Sequence, residues 1–333
     1  MKRLHFCLLC WTAFTLLCRS ICPVSAQTPT RPKIVFTATR DGNAEIYVMN
    51  TDGSEQVRLT NHPGDDFDPS WSPTGEHIAF VSERDHKGLY DIYLMDADGK
   101  NIRRAFDELD YRTAPTWSPD GKKIAYYTYS PVPDWAIYFS TIDGGTTERV
   151  TEVGMYPSGF PAWSPNRTEI AFSSVIQREA RPDVVIEWRI WTVNLQTLEK
   201  EILPLKVEEG DLRYPAWSPD GRKLAFSWWS RDRKKSSVYT VSRKGRTATE
   251  IVKNASGMLV WSPNGRELLY KKTVEGQKHL FKINLNSLIE TPLTRLGPTT
   301  RRGQNTGWDW FNPPVFPNPQ LLTTVWAKMK IQD

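Results

Sequence analysis

Cysteine is scarce in this sequence, and its four positions are confined to one end. Cys7, Cys10, Cys18 and Cys22 all lie within the first 26 residues. The rest of the chain therefore offers no disulfide, no thiol nucleophile and no thiolate metal ligand. A chain of about 300 residues without disulfides is stabilised by its hydrophobic core, and this length suffices for one.

The usual signatures of catalysis are also missing. The sequence contains neither a Gly-x-Ser-x-Gly elbow nor a His-Glu-x-x-His pair. After residue 26 the histidines are few and scattered, namely His62, His77, His86 and His279. We therefore expect no catalytic residue, no metal site and no cofactor. No apolar period of 3.6 residues follows residue 26, so almost no helix is expected.

Excess charge is lacking as well. The formal net charge of +5 shrinks if Lys2, Arg3 and Arg19 are removed, because 40 basic residues then face 38 acidic ones. This balance predicts no nucleic-acid partner. The basic run Arg231-Asp232-Arg233-Lys234-Lys235 is interpreted as a solvated loop.

The first 26 residues have the pattern of a secretory signal peptide. Lys2 and Arg3 precede a mostly apolar stretch from Leu8 to Leu17, and Val24-Ser25-Ala26 supplies small residues for cleavage after Ala26. The apolar stretch is too short to span a bilayer. We expect a periplasmic or secreted protein with residues 1–26 removed and without a membrane span.

What the sequence has is one phrase that returns. Trp-Ser-Pro begins at Trp71, Trp117, Trp163, Trp217 and Trp261, and a degenerate copy occurs at Trp310. The spacings between successive tryptophans are 46, 46, 54, 44 and 49 residues. A repeat of this length indicates stacked or radial units.

Each repeat reads as four short strands, which we label a to d. Strand a ends at the tryptophan, a Ser-Pro turn follows, and strands b and c are rich in β-branched and aromatic residues. Strand b recurs as Ile34-Val35-Phe36, Ile78-Ala79-Phe80, Ile124-Ala125-Tyr126, Ile170-Ala171-Phe172, Leu224-Ala225-Phe226 and Leu268-Leu269-Tyr270. Turns such as Asp96-Ala97-Asp98-Gly99 join c to d. They resemble the start of a calcium loop, but a hairpin turn is the favoured interpretation.

Four-stranded units at this period predict an all-β, six-bladed β-propeller. The first b, c and d strands precede any Trp-Ser-Pro phrase, whereas the last strand a, near Gly307–Phe311, has no b, c or d after it. We therefore predict that the C-terminal strand pairs with the N-terminal blade and closes the ring, which leaves no free sheet edge there. The predicted propeller spans residues 33–311, after a short segment 27–32 and before a tail 312–333.

These phrases resemble the WD40-like repeats of the TolB-type β-propellers. Pro215-Ala216-Trp217-Ser218-Pro219-Asp220-Gly221 and Arg58-Leu59-Thr60 match that family's repeat nearly letter for letter. The resemblance implies an exported six-bladed propeller used for protein contacts. Between Ala26 and Lys33 there is no space for the α/β domain that precedes the propeller in TolB, so a free-standing propeller is expected.

The repeated tryptophans are interpreted as framework that packs between blades. Candidate binding residues are sought instead on the face that carries the b–c and d–a connections, since these vary in length and composition. The candidates are Asp65, Asp66, Asp68, Glu108, Asp110, Tyr111, Arg112, Tyr156, Arg178, Arg181, Asp211, Arg213, Tyr214, Trp229, Arg301 and Arg302.

One sector of that face stands out. The b–c connection from Ser173 to Trp188 is the longest, and Trp228-Trp229 begins the corresponding connection of the next blade. Strand alternation directs one of these two tryptophans inward, so the other is expected to be exposed beside arginines, as in interface hot spots.

The sequence favours a non-enzymatic, monomeric protein that binds another envelope or secreted protein, or a peptide. The alternative is a propeller that binds or cleaves polysaccharide, as a lyase or glycosidase, at the channel mouth. That chemistry needs converging carboxylates or a His-rich metal site, and Asp65, Asp66, Glu108 and Asp110 are the candidates that the sequence offers.

Overall fold

Six four-stranded antiparallel sheets surround a central channel. They are seen in a computed structural model that describes residues 28–130, 134–142, 144–152, 155, 157–178, 185–296 and 307–311. No helix occurs among these residues. The predicted leader, residues 1–26, and the predicted tail, residues 312–333, lie outside them, so the leader, its cleavage site and the domain limits remain predictions.

In every blade the four strands are hydrogen-bonded side by side in the order a, b, c, d. Blade 1 contains β24 (Trp308–Phe311), β1 (Lys33–Ala38), β2 (Glu45–Asn50) and β3 (Val57–Arg58). Blade 2 contains β4 (Asp66–Trp71), β5 (His77–Ser82), β6 (Asp91–Asp96) and β7 (Arg103–Arg104). Blade 3 contains β8 (Arg112–Trp117), β9 (Lys123–Ser130), β10 (Asp134–Thr141) and β11 (Thr147–Arg149). Blade 4 contains β12 (Pro157–Trp163), β13 (Glu169–Arg178), β14 (Val185–Asn194) and β15 (Lys200–Ile202). Blade 5 contains β16 (Asp211–Trp217), β17 (Lys223–Trp229), β18 (Ser236–Ser242) and β19 (Thr249–Lys253). Blade 6 contains β20 (Ala255–Trp261), β21 (Glu267–Val274), β22 (Gln277–Asn284) and β23 (Glu290–Arg295).

The predicted ring closure is confirmed. Strand β24 pairs antiparallel with β1, with Ile34 opposite Trp310 and Phe36 opposite Trp308. The Thr37 backbone N–H extends this ladder by donating to the Gly307 carbonyl at 3.0 Å. Blade 1 is thus built from both ends of the propeller. Strand β1 is paired with β24 on one edge and with β2 on the other, so neither edge is open.

The serine of each Trp-Ser-Pro phrase has a defined structural role. In blade 2 the Ser72 Oγ accepts the backbone N–H of His77 at 3.1 Å, which closes the a–b turn. The same bond joins Ser118 to Lys123, Ser164 to Glu169, Ser218 to Lys223 and Ser262 to Glu267, at 2.8–2.9 Å. The repeat therefore encodes a turn in which a side-chain oxygen satisfies a backbone donor.

The tryptophans lie in the cores between adjacent blades. Trp71 of blade 2 packs in one cluster with Val35 and Ile46 of blade 1, and Trp261 of blade 6 packs with Ala225 and Val238 of blade 5. Large aromatic side chains bury much apolar area per residue, which explains why the phrase recurs once per blade.

Strand a is interrupted by a β-bulge in the five blades where it precedes b in sequence. The register shifts between Phe67 and Ser70 in blade 2 and at the matching places in blades 3 to 6. Residues with positive φ mark the bulges: Asp68 (53°), Ala114 (54°), Gly159 (79°), Tyr214 (55°) and Gly257 (93°). A bulge bends its strand and re-aims side chains, here at the level of the channel.

The long b–c connection of blade 4 differs from the prediction. Strands β13 and β14 continue into it, and they remain paired as far as Arg178 opposite Val185. The stretch from Ser173 to Trp188 is therefore mostly an extended β-hairpin rather than a loop. Its β-branched residues at 175, 176, 185 and 186 favour continued strand pairing.

Candidate functional site

Up-and-down strand order gives the ring two different faces. The b–c and d–a connections lie on one face, which we call the variable face, and the Ser-Pro and c–d turns lie on the other, which we call the turn face. The candidate residues that the structure describes belong to the variable face or to the ends of strands a and b next to it.

The first acidic candidates are bonded within the framework. The Asp66 carboxylate is buried and accepts two bonds from Arg84, at 3.1 and 3.0 Å. Burial raises the pKa of Asp66, an effect that the Arg84 charge opposes. Asp65 accepts the backbone N–H of Ala44 at 2.9 Å and so connects blade 2 to blade 1.

Arg112 forms a second bridge between blades. It donates to both oxygens of Asp91 at 3.0 and 3.1 Å, and to the Glu108 carbonyl at 2.8 Å. Asp91 begins strand c of blade 2 and Arg112 begins strand a of blade 3, so the pair joins adjacent blades. Glu108 and Asp110 are exposed, and Asp110 accepts the backbone N–H of Tyr111 at 2.7 Å.

Asp211 forms a third such node. Its carboxylate accepts a bond from Arg233 at 2.6 Å and one from the backbone N–H of Trp188 at 3.2 Å. The guanidinium of Arg213 lies 4.0 Å from the centroid of the Trp188 ring, which places a cation over an aromatic face. Burial lowers the pKa of Arg213.

The two adjacent tryptophans of blade 5 differ in burial. Trp228 is buried, and its Nε1–H donates to the Glu208 carbonyl at 3.0 Å. Trp229 is half-buried and packs edge-to-face on Tyr214, with ring centroids 5.8 Å apart. Trp229 and Tyr214 therefore form an aromatic pair at this end of blade 5.

Asp68 occupies the bulge of blade 2 and is 7% exposed. Its backbone N–H donates to the Thr37 hydroxyl of blade 1 at 3.2 Å. Burial raises the pKa of the Asp68 carboxyl well above its ordinary value.

Several candidates fall outside the described part of the chain. These are Tyr156, Arg181, Arg301 and Arg302, together with the side chain of Arg178 at the end of β13. The remaining candidates reach the same face, but Asp66, Arg112 and Asp211 are buried in ion pairs. Their role in binding remains a proposal.

The turn face carries a feature that sequence reasoning missed. A funnel of about 340 Å³ opens there at the ring axis. Its rim holds four prolines of the Ser-Pro turns, Pro73, Pro119, Pro165 and Pro219, and below them its wall holds five repeat tryptophans, Trp71, Trp117, Trp163, Trp217 and Trp261. The wall is completed by the residues just before each tryptophan.

The inner end of the funnel is lined from the bulge level. Phe160, Tyr214 and Met258 line it, and the rings of Phe160 and Tyr214 lie 6.4 Å apart. Phe160 and Met258 belong to one cluster with Ala114 and Trp308, so residues of four blades pack together around the axis. The funnel therefore ends on a packed apolar layer.

The tryptophans serve both as wall and as blade-to-blade links. The Nε1–H of Trp117 donates to the Ser70 carbonyl at 3.1 Å, and that of Trp261 donates to the Ala216 carbonyl at 3.0 Å. Each acceptor belongs to the preceding blade and directly precedes its own tryptophan. Trp163 makes the same bond to the Thr116 carbonyl at 3.3 Å, whereas Trp71 and Trp217 are held in the wall by packing in the cores between blades. These contacts fix the position of the indoles, so the funnel is preformed.

One carboxylate lies in the funnel wall. Asp309, on the closing strand β24, accepts the backbone N–H of Trp71 at 2.7 Å, the Ser70 hydroxyl at 3.2 Å and the backbone N–H of Trp310 at 2.8 Å. Two of these donors belong to blade 2, so the carboxylate links the closing strand to the next blade. Desolvation by burial raises the pKa of Asp309 to about 6.

Among the described residues, no group of three or more His, Cys, Asp or Glu side chains lies close enough together to hold a metal ion. Within the same residues, no helix is long and apolar enough to cross a bilayer.

The funnel was missed because the repeated residues were interpreted as framework alone. The residue before each tryptophan nevertheless distinguishes one blade from the others. When the six copies are aligned on their tryptophans, the preceding residue is Ser70, Thr116, Ala162, Ala216 or Val260 in five of them and Asp309 in the sixth. A lone ionisable residue in a ring of neutral ones marks the blade where the wall differs.

The sequence pattern that defines the TolB beta propeller domain matches residues 19–129 and 135–306. This match covers most of the chain. The chain belongs to the TolB β-propeller family. The resemblance inferred from the Trp-Ser-Pro phrases is therefore confirmed.

Relatives of known sequence match over limited lengths. A TolB homolog of Chlorobaculum tepidum is 45% identical over 49 residues, which cover 15% of this TolB-like chain and 11% of that protein. An uncharacterized protein of Agrobacterium fabrum is 28% identical over 204 residues, or 60% of this chain and 52% of that protein. The chain thus spans about half, or much less, of the relatives that it matches.

Solved structures share the propeller. TolB from Acinetobacter baumannii superposes with a TM-score of 0.68 at 17% identity, covering 84% of this chain and 66% of that one. A putative TolB from Agrobacterium tumefaciens gives 0.59 at 19% identity, with coverages of 86% and 99%. An oligogalacturonate lyase of Vibrio parahaemolyticus gives 0.53 at 18% identity, with coverages of 79% and 74%. At these identities the likeness concerns the fold alone.

Proposed function

We propose that this chain is a non-enzymatic TolB-type propeller that acts in the periplasm and binds a protein or peptide partner. The observation that carries the proposal is the funnel on the turn face. Concave, mostly apolar and preformed sites with few polar groups are typical of binding sites, and this one is rimmed by prolines and walled by indoles.

Membership of the TolB family supports a protein partner, because relatives of this chain include proteins named for the Tol-Pal system. The predicted leader supports an exported location. The exported location remains part of the proposal, because the leader lies outside the described residues.

The variable face supplies a second contact area in this proposal. Trp229, Tyr214 and Arg213 lie together beside the β13–β14 hairpin, and half-buried aromatics next to arginine are typical of interface hot spots. Among the other charged candidates on this face, Asp66, Arg112 and Asp211 are held in ion pairs.

Polysaccharide cleavage is the alternative raised by the sequence, and lyases occur among the structural neighbours. Its candidate carboxylates are Asp65, Asp66, Glu108 and Asp110. Asp66 is engaged by Arg84 and Asp65 by the Ala44 N–H. No observation on the described residues favours this alternative over protein binding.

The proposal is tested by capture from an envelope fraction with residues 27–333 as bait. Wild-type protein is compared with Ala162→Phe, which narrows the funnel, and with Leu198→Ser, which changes an exposed side chain elsewhere on the turn face. We expect Ala162→Phe to lose a protein that Leu198→Ser retains, with both variants melting as wild type.

A third bait separates the two faces. Replacing residues 176–186 by a short Gly/Ser linker removes the tip of the blade 4 hairpin while the blade itself remains. Capture lost only in this variant would move the site to the variable face. Capture of no specific protein by any bait would contradict the proposed function.

A further inference from the structure

The two halves of the funnel wall differ in polarity. At the position before each tryptophan, blades 1 to 3 carry Asp309, Ser70 and Thr116. Blades 4 to 6 carry Ala162, Ala216 and Val260 at the same position. One half of the wall is therefore polar and the facing half is aliphatic.

Asp309 carries the only charged side chain among the described residues that line this funnel. Its three hydrogen-bond donors, two backbone N–H groups and the Ser70 hydroxyl, are all neutral. A carboxylate in desolvated surroundings without a counter-charge is unfavourable, and its raised pKa reflects this. A cation brought in by a ligand would supply the missing charge.

The shape of the wall narrows the choice of cation. A group that offers an aliphatic stem to one side and a compact positive head to the other fits both halves of the funnel. Each Asp309 oxygen already accepts a backbone N–H, which disfavours the two parallel bonds that a guanidinium makes. A divalent metal would require several oxygen ligands, whereas one carboxylate is present.

We propose that the funnel receives a lysine side chain of the partner, with its ammonium group against Asp309 and its methylene stem against Ala216 and Val260. This inference rests on the proposed function and specifies the chemistry of the partner at its contact point. The hydroxyl-bearing residues Ser70 and Thr116 flank the carboxylate on the polar side.

The test uses n-pentylammonium, which carries the four methylenes and the ammonium group of lysine with a methyl group in place of Cα, and 1-pentanol as the uncharged analogue. Binding is followed by the fluorescence of the tryptophans that line the funnel. We expect saturable binding of n-pentylammonium and at least about tenfold weaker binding of 1-pentanol, since ten-fold corresponds to 1.4 kcal/mol.

Asp309→Asn keeps the size of the side chain and removes its charge. It should abolish the preference for the ammonium ion. The matched control is Asp120→Asn, which removes a charge on the same turn face beside Pro119 and should leave the preference unchanged. Equal binding of both probes to wild type, or a retained preference in folded Asp309→Asn, would overturn the inference.

If Asp309→Asn does not fold, Val260→Asp takes its place, with Val260→Asn as control. Val260→Asp puts a second carboxylate at the matching position of blade 6. Tighter n-pentylammonium binding in Val260→Asp than in Val260→Asn supports the inference, and equal binding overturns it.

The lysine inference and the proposed function can be contradicted independently of each other. A funnel that prefers n-pentylammonium in a protein that captures no partner contradicts only the proposed function. Partner capture that depends on the funnel, without any preference for the ammonium ion, contradicts only the lysine inference.

Discussion

Asp309 shows how one residue can join folding to the chemistry of a site. Its raised pKa means that the folded protein binds a proton more tightly than the unfolded chain does. The stability that this group contributes is therefore complete below about pH 4 and is lost as the pH rises through about 6. This rise in the pKa of Asp309 corresponds to at most about 3 kcal/mol of folding free energy.

The titration of Asp309 can be measured as a difference in stability between two proteins. The free energy of unfolding of wild type minus that of Asp309→Asn should fall between pH 4 and pH 6.5. Urea unfolding at several pH values measures it, and subtraction cancels the contributions of the buried carboxyls Asp66 and Asp68. A difference independent of pH would show that Asp309 does not titrate in this range.

Leu288 is a residue whose backbone and side chain are both unfavourably placed. It adopts a φ of 55° in the c–d turn of blade 6, and its side chain is 57% exposed. Asparagine tolerates this left-handed region better than leucine. Leu288→Asn should therefore stabilise the protein by about 0.5 kcal/mol in urea unfolding.

Leu285 in the same turn is the control for Leu288. It packs against the core cluster between blades 5 and 6 and lies outside the left-handed region. Leu285→Asn should be destabilising. If Leu288→Asn is destabilising too, the exposed leucine contributes an interaction that the backbone argument omits.

At the scale of the strand and turn, two glycines offer a matched comparison. Gly75 and Gly121 occupy the same place in the a–b turns of blades 2 and 3, with φ of 72° and 70°. A Cβ on Gly75 would lie 2.2 Å from the ring of Phe311 in the closing strand, whereas one on Gly121 would meet Pro73 at 3.7 Å.

Both alanine substitutions incur the cost of a positive φ, about 1–2 kcal/mol. Gly75→Ala must in addition displace Phe311, which is buried against Trp71. We expect Gly75→Ala to lower the free energy of unfolding by about 1–3 kcal/mol more than Gly121→Ala does. Equal losses would mean that the closing strand moves away without cost.

The strands and their turns could be predicted well from the sequence because both are local. Alternation, β-branched residues and the Ser-Pro turns each act within a few positions. The bulges could not be predicted, since the residues with positive φ are Asp68, Ala114 and Tyr214 as well as glycines. They share no chemistry, and the ring imposes their conformation.

The funnel escaped prediction for the same reason. Its wall is assembled from residues about one repeat apart, and each of them looks like framework in isolation. Conversely, Asp66 and Arg112 looked like free binding groups because their partners, Arg84 and Asp91, are brought near by the turns and by blade stacking. The type and order of the elements are local properties, whereas the pairing of charges depends on how strands and blades pack against one another.

At the scale of the whole molecule, the ring depends on four residues at its C-terminal end. Strand β24 contributes Trp308, which is fully buried, and Trp310 to the core between blades 1 and 6, and Asp309 to the contact with blade 2. Deletion of residues 305–333 should expose the edge of β1 from Ile34 to Phe36, so that the protein aggregates or melts without a cooperative transition.

A second deletion shows whether the strand itself is responsible. Removal of residues 312–333 leaves β24 in place and should preserve a cooperative melt, measured by circular dichroism and calorimetry. If both deletions melt alike, the effect comes from the tail. If the longer deletion remains soluble with the wild-type transition, closure contributes nothing to stability. A cooperative loss confined to the longer deletion would mean that a ring without disulfides is held closed by one four-residue strand, because that strand alone supplies the missing first strand of blade 1.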